Sequence, residues 1–239
     1  MIGRFLGAIQ FLTVVPVRYS AASSGASAIS FPLVGALLGA VTGAILLLCS
    51  RIFSASVAAL IALIFLVAVT GCLHEDALAD VADAFRIGRS RERIMLVLKD
   101  SRIGSYGGVA LALSLMLRWQ SLAAMRQNPV LGLAAALALS RAALVALGAT
   151  APAAGEGLGR AFVEQLSRPA MYGAVAQAVA LAFLAGWRNG AVMIIASAII
   201  VILAHAWFVA RLGGVNGDCL GATCQIVEMM NLLILVWRP

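Results

Sequence analysis

Charge is scarce in this chain: only 11% of its 239 residues are Asp, Glu, Lys or Arg, against 63% hydrophobic, and the mean hydropathy is +1.03. A soluble domain does not need so apolar a composition, so lipid is the expected solvent. Aromatic residues make up only 7%, so the net charge of +7 lacks the aromatic-rich basic surface of a nucleic-acid binder, and that class is excluded. The four cysteines, Cys49, Cys72, Cys219 and Cys224, form no C-x-x-C pair, and His74 and His205 have no metal-ligand spacing with them. They read as buried or reduced thiols. Alternating polar and apolar residues are absent too, which argues against a membrane β-barrel.

Long apolar runs are what the sequence has instead. A hydrocarbon core about 30 Å thick needs roughly 20 apolar residues of helix, with every backbone group satisfied internally. Windows near 31–51, 54–73, 106–126, 130–150, 170–187, 190–211 and 219–237 meet that need. The expected fold is all-α: one integral membrane domain over residues 1–239, a polytopic bundle of about seven transmembrane helices. Residues 1–19 carry FLGAIQFLTVVPV between Arg4 and Arg18 and predict a short interfacial or re-entrant helix. That reading is preferred to a cleaved signal peptide, since Ala21–Ala22 make no clear cleavage site. Gly35, Gly39 and Gly43, spaced by four in GALLGAVTG, predict a helix-packing seam.

Basic residues set the orientation. With the loop after the second window in the cytoplasm, eleven of the seventeen fall inside and only Arg51, Arg126, Arg188 and Arg238 fall outside. Arg118 and Arg141 lie within windows. Every acid except Glu228 then belongs to the cytoplasmic loops 74–105, 151–169 and 212–218. Arg141 and Glu228 are costly in lipid and are expected to face the interior as a structural pair.

One stretch raises a chemical question. GCLHEDALADVADAF, from Gly71 to Phe85, places four carboxylates within nine residues directly after an apolar window. On a helix Asp76, Asp80 and Asp83 fall within a sector of roughly 60°, while Glu75 points roughly 100° away from Asp76. Three carboxylates on one face repel one another, and a hard divalent cation that also engages phosphate would compensate them. Solvated acids at a helix end are the alternative, and three on one face favour the cation. After them come Arg86, Arg89, Arg91, Arg93, Lys99 and Arg102, whose charges suit phosphate oxygens. Arg89 and Arg91 read as ordinary cytoplasmic-side charge, whereas Lys99, Asp100 and Arg102 stand together in the glycine-rich KDSRIGSYGG. A second glycine-rich turn, RLGGVNGDCLGA, opens the last window, with Asp218 as its expected N-cap. Acids lining a cation-coupled transport pathway are the competing class, but such groups sit near the midplane, often with internal repeats, and neither sign is evident here.

Taken in order, FLTVVPV, FPLVGALLGA, HEDALADVADAF, LKDSRIGSYGG and LGGVNGDCLGA cover nearly the whole chain. The set resembles the adenosylcobinamide-GDP ribazoletransferase family, also called cobalamin 5′-phosphate synthases. The resemblance implies a Mg²⁺-dependent, multi-pass enzyme of the bacterial inner membrane, its active site facing the cytoplasm. It would join adenosylcobinamide-GDP to α-ribazole or α-ribazole 5′-phosphate with release of GMP. By the same resemblance Asp76, Asp80, Asp83 and Asp100 hold the metal, and Asp83, Asp76 or His74 receives a proton. Lys99, Arg102, Gly213, Gly214 and Asp218 contact substrate. Membrane lipid is a further partner, and a homo-oligomer is left open. The acidic run also resembles, more locally, the D-x-x-D-G element of CDP-alcohol phosphotransferases. Ala77 and Ala84 stand where glycine is usual, which would put methyl groups beside the presumed metal.

Overall fold

The computed structural model describes residues 2–17, 24–88, 90–126 and 128–237. Arg18, Ala21, Ala22, Arg89 and Arg238 lie outside the described residues. The helices run in chain order as α1 (Ile2–Leu12), α2 (Ser24–Ser27), α3 (Phe31–Cys49), α4 (Ala55–Thr70), α5 (Leu73–Ile87), α6 (Arg91–Leu98), α7 (Ser105–Ala124), α8 (Pro129–Thr150), α9 (Leu158–Gln165), α10 (Arg168–Ala182), α11 (Trp187–Leu212) and α12 (Gly217–Val236). Among the described residues there is no strand beyond one isolated bridge between Ala153 and Val215, so the protein is an all-α, polytopic membrane protein.

Five helical stretches are long and apolar enough to cross a membrane, and a sixth arises if α4 and α5 count as one bent span. The seven sequence windows all fold as helix, but two differ from the expectation. The 54–73 window stops at Thr70, where the chain turns by 85° into α5. Gly71 and Cys72 make that turn with φ of 63° and 59°, the left-handed region that glycine adopts freely and cysteine does not. The 106–126 window becomes α7, which has the length but carries Arg118 and Gln120 and is not among the five.

The glycine seam forms as expected. A β-carbon on Gly35, Gly39 or Gly43 would fall onto the backbone at Leu137, Leu133 or Pro129, so α3 and α8 touch main chain to main chain. In lipid, where burial of apolar surface drives little helix association, this close packing is the main attraction between them. Gly39→Val is therefore expected to force the helices apart and cost at least about 1–3 kcal/mol, the range for overpacking a fitted contact. Gly108→Ala, with open space around the added carbon, is expected to be neutral or mildly stabilising. Unfolding midpoints in detergent measure both, and equal midpoints would remove the seam from the account.

A short N-terminal helix, α1, forms where the sequence anticipated one, and it packs onto the domain. Its Ala8 and Leu12 are buried, and Phe11 stacks in one cluster with Phe31 of α3 and Phe162 of α9. All four cysteines are free, as expected, with Cys219 and Cys224 buried and Cys72 exposed at the kink.

Candidate functional site

Helix α5 lies against α7 and α12, and its residues are sorted by side. Towards α12, the Ala77 methyl meets Gly221. Ala84 is fully buried. These two alanines thus pack the helix into the core. Towards α7, Asp83 sits under the start of the helix, where a β-carbon on Gly104 or Gly107 would strike its carboxylate. The Gly104 N–H donates to Asp83 Oδ2 at 2.7 Å, and the positive end of α7 favours the negative charge. Asp83 Oδ1 is buried without a hydrogen-bond partner.

Asp76 and Asp80 share this face of α5, about two turns and one turn nearer its N-terminus. With Glu75, Cys72, Ser101 and Ile103 they line a cavity of about 220 Å³ walled by α4 and α7. Asp76, Asp83 and Asp218 are all near enough for their charges to act on Asp80. The three carboxylates of the sequence reading, joined by Asp218 of α12, therefore form one electrostatic group. Asp83 is its most enclosed member.

The predicted loops meet around this group. Val215 N–H donates to Pro152 O and Ala154 N–H to Val215 O, both at 2.8 Å, joining the 151–157 and 213–216 segments. Gly214 permits that approach, since a β-carbon there would overlap the Pro152 carbonyl. Gly213 ends α11 at φ 75°, and the Arg91 guanidinium lies against it. Arg91 thus belongs to the second glycine turn rather than to a general surface charge. Lys99 pairs with Glu156 of the neighbouring loop at 3.1 Å, an exposed contact of little energetic weight. Arg211 donates to Gly88 O at 2.9 Å and closes the C-terminal end of α5.

Asp100 takes both Nε and Nη2 of Arg102, at 2.9 and 2.7 Å, together with the Arg102 N–H. Those bonds, the side-chain one foremost, hold its carboxyl down to about 2. Its oxygens are thereby occupied. Asp218 is not the N-cap of α12. Asn216 fills that position, its Oδ1 accepting from the Cys219 N–H at 3.0 Å, while Asp218 sits in the first turn and accepts from Asn216 Nδ2 at 2.8 Å. The reason is one of register: Gly217 already has helical conformation, so the capping place falls one residue before it.

His74 is buried, within reach of the charges on Arg141, Glu228 and Arg118, and it is not among the cavity-lining residues. Glu75 leaves the Asp76 face, as its angle predicts, and turns inward, where its Oε1 accepts from Arg118 Nη1. Arg118 Nη2 lies 2.9 Å from Glu228 Oε1 without hydrogen-bond alignment, and Arg141 Nη1 donates to Glu228 Oε2. The expected Arg141–Glu228 pair is thus half of a buried network. The other half was signalled only by a lone arginine in an apolar helix. Among the described residues, no three His, Cys, Asp or Glu side chains converge as a ready-made metal cage.

The helices and this site define a polytopic membrane protein with an acidic cavity, which the loop carrying Lys99 and Arg102 reaches through Ser101 and Ile103. The chain belongs to the cobalamin-5-phosphate synthase family, whose model matches residues 4–236. It is 35% identical to an adenosylcobinamide-GDP ribazoletransferase of Vibrio cholerae, over 97% of this chain and 92% of the relative. Proteins of the same name from Rhizobium johnstonii and Escherichia coli are 39% and 34% identical, covering 95% and 97% of this chain and 94% and 98% of theirs. No solved structure matches.

Proposed function

We propose that this protein is an adenosylcobinamide-GDP ribazoletransferase of cobalamin biosynthesis, working in the bacterial inner membrane with its acidic cavity towards the cytoplasm. The observation that carries this reading is the Asp76–Asp80 wall of the cavity, set beside the Asp83, Asp218 and glycine-turn elements in a chain whose relatives share that name along their length. The reaction joins adenosylcobinamide-GDP to α-ribazole or its 5′-phosphate. A ribazole hydroxyl attacks the phosphorus nearer the cobinamide, the bond from that phosphorus to the bridging oxygen breaks, and GMP departs with that oxygen.

The donor set fits Mg²⁺, because close carboxylates of one charge, one with a free buried oxygen, call for a cation that uses one or two protein carboxylates and leaves places for phosphate. Asp76 and Asp80 would hold it, with Asp83 and Asp218 near by, and when bound it would neutralise diphosphate charge. Asp100, its oxygens taken by Arg102, is left out of that set. Asp76, exposed and lining the cavity, is better placed than Asp83 or His74 to accept the proton of the attacking hydroxyl. Lys99 and Arg102 balance charge on the departing GMP by exchanging their present carboxylate partners for phosphate, and the Gly213–Gly214 turn lets backbone approach the ligand. The remaining work is positioning.

Purified protein in detergent or lipid, given adenosylcobinamide-GDP, α-ribazole 5′-phosphate and Mg²⁺, is expected to release GMP and form the joined corrinoid, and to stop when the metal is chelated. A folded protein that gives no product with any of several lower-ligand nucleosides would sink the proposal.

A further inference from the structure

Four charged side chains from four helices meet beneath the cavity: Glu75 of α5, Arg118 of α7, Arg141 of α8 and Glu228 of α12. None of these side chains is more than 5% exposed. Their charges cancel. Arg118 is the bridge, with one guanidinium nitrogen on Glu75 and the other facing Glu228. Arg141 completes the set and also donates to Ser140 Oγ at 2.8 Å.

Stability is a poor reason for this arrangement. Desolvation offsets most of the attraction between buried ions, and apolar side chains of similar volume commonly serve a core as well or better. The network is also incompletely satisfied: Glu75 Oε2, Arg118 Nε, Arg141 Nε and Glu228 Oε1 are buried without a hydrogen-bond partner. What a planar guanidinium fork supplies, and an apolar contact does not, is direction.

Direction is what α5 needs at this end. Its C-terminal half is tied by the Asp83–Gly104 hydrogen bond and by Arg211 on Gly88. Its N-terminus begins at the left-handed Cys72 with no side-chain cap. The Glu75–Arg118 pair is the polar tie there, and Glu75 itself lines the cavity beside Asp76 and Asp80. A roll of α5 by about 20° would carry a side-chain tip, about 5–6 Å from the helix axis, through about 2 Å. Misplacement of about 1 Å can cost 10²-fold in rate.

We infer that the Glu75–Arg118–Glu228–Arg141 network is a positioning device: it fixes the roll of α5 so that Asp76 and Asp80 face the cavity. The four are positioning residues, and the inference rests on the proposed transfer reaction for its kinetic readout only. The test is the double variant E75Q/R118Q, which removes one charge of each sign and leaves Glu228 and Arg141 matched. It is expected to purify as a folded protein melting within a few degrees of the wild type. Its kcat should fall by at least about tenfold while KM stays within about twofold, the split that marks lost transition-state alignment. Amide exchange over residues 76–83 should quicken, while exchange over 133–143 of α8 stays unchanged. R118K keeps the charge but lacks the fork, and it should show the same kinetic split. Wild-type kcat in the folded double variant, or unchanged exchange over 76–83, would overturn the inference. Should the wild type itself release no GMP, the proposed reaction fails and the exchange measurement alone decides the positioning role.

Discussion

Asp80→Asn is expected to leave a folded protein that turns over at least about 10²-fold more slowly, on the scale of removing one preorganised charge-stabilising group. Folding should survive because Asp76, Asp83 and Asp218 all act on Asp80, so neutralising it relieves repulsion. Activity should not, because the amide cannot offer the charge that would hold a cation at the cavity wall. Asp83→Asn should behave alike for a different local reason: its amide oxygen can still accept the Gly104 N–H, so the contact with α7 is kept while the charge is lost. Melting curves and GMP release measured on the same preparations separate the two quantities. Near-normal turnover in both variants would remove the shared acidic face from the mechanism.

The second large effect runs the other way, with stability as the casualty. Glu228→Gln takes one negative charge from a set of four, leaving Arg141 with Ser140 and Arg118 with Glu75 alone. Breaking a buried pair by removing one partner typically costs about 3–5 kcal/mol, because the remaining charge stays buried without compensation. The variant is expected to yield little monodisperse protein and to melt well below the wild type. The same physics revises what Glu75→Gln would do. From its off-face angle alone it should be mild, yet its carboxylate is bound to Arg118, so its main effect is expected on folding. A wild-type melting temperature for Glu228→Gln would mean that these groups are not buried as charges.

Patterns that repeat along one helix were legible in the sequence. The Gly35–Gly39–Gly43 seam and the shared face of Asp76 and Asp80 follow from helical angles that no neighbour has to supply. So did the departure of Glu75 from that face. Its partner did not, because Arg118 stands 43 residues away and only tertiary packing selects it. The kink between α4 and α5 was hidden for a related reason: hydropathy runs smoothly through 54–73, and a left-handed cysteine has no compositional mark. Asn216 and Asp218 are both good capping residues, and which one caps depends on where the first helical turn begins. Arg91 looked like any other surface arginine until the fold brought Gly213 to it.

The contact between α3 and α8 also works as a ruler. Each four-residue step from Gly35 to Gly39 to Gly43 on one helix is answered by a four-residue step back, from Leu137 to Leu133 to Pro129, on the other. Three such teeth leave no freedom to slide, and Arg141 stands just four residues beyond the first of them, on the same rigid helix. Deleting a single residue between Leu137 and Arg141 would advance the arginine by about 1.5 Å and swing it through about 100° while the teeth stayed engaged. It would then no longer meet Glu228. Chain length within this helix is therefore as constrained as residue identity, a demand that an ordinary lipid-facing span, free to shift along its own axis, does not face.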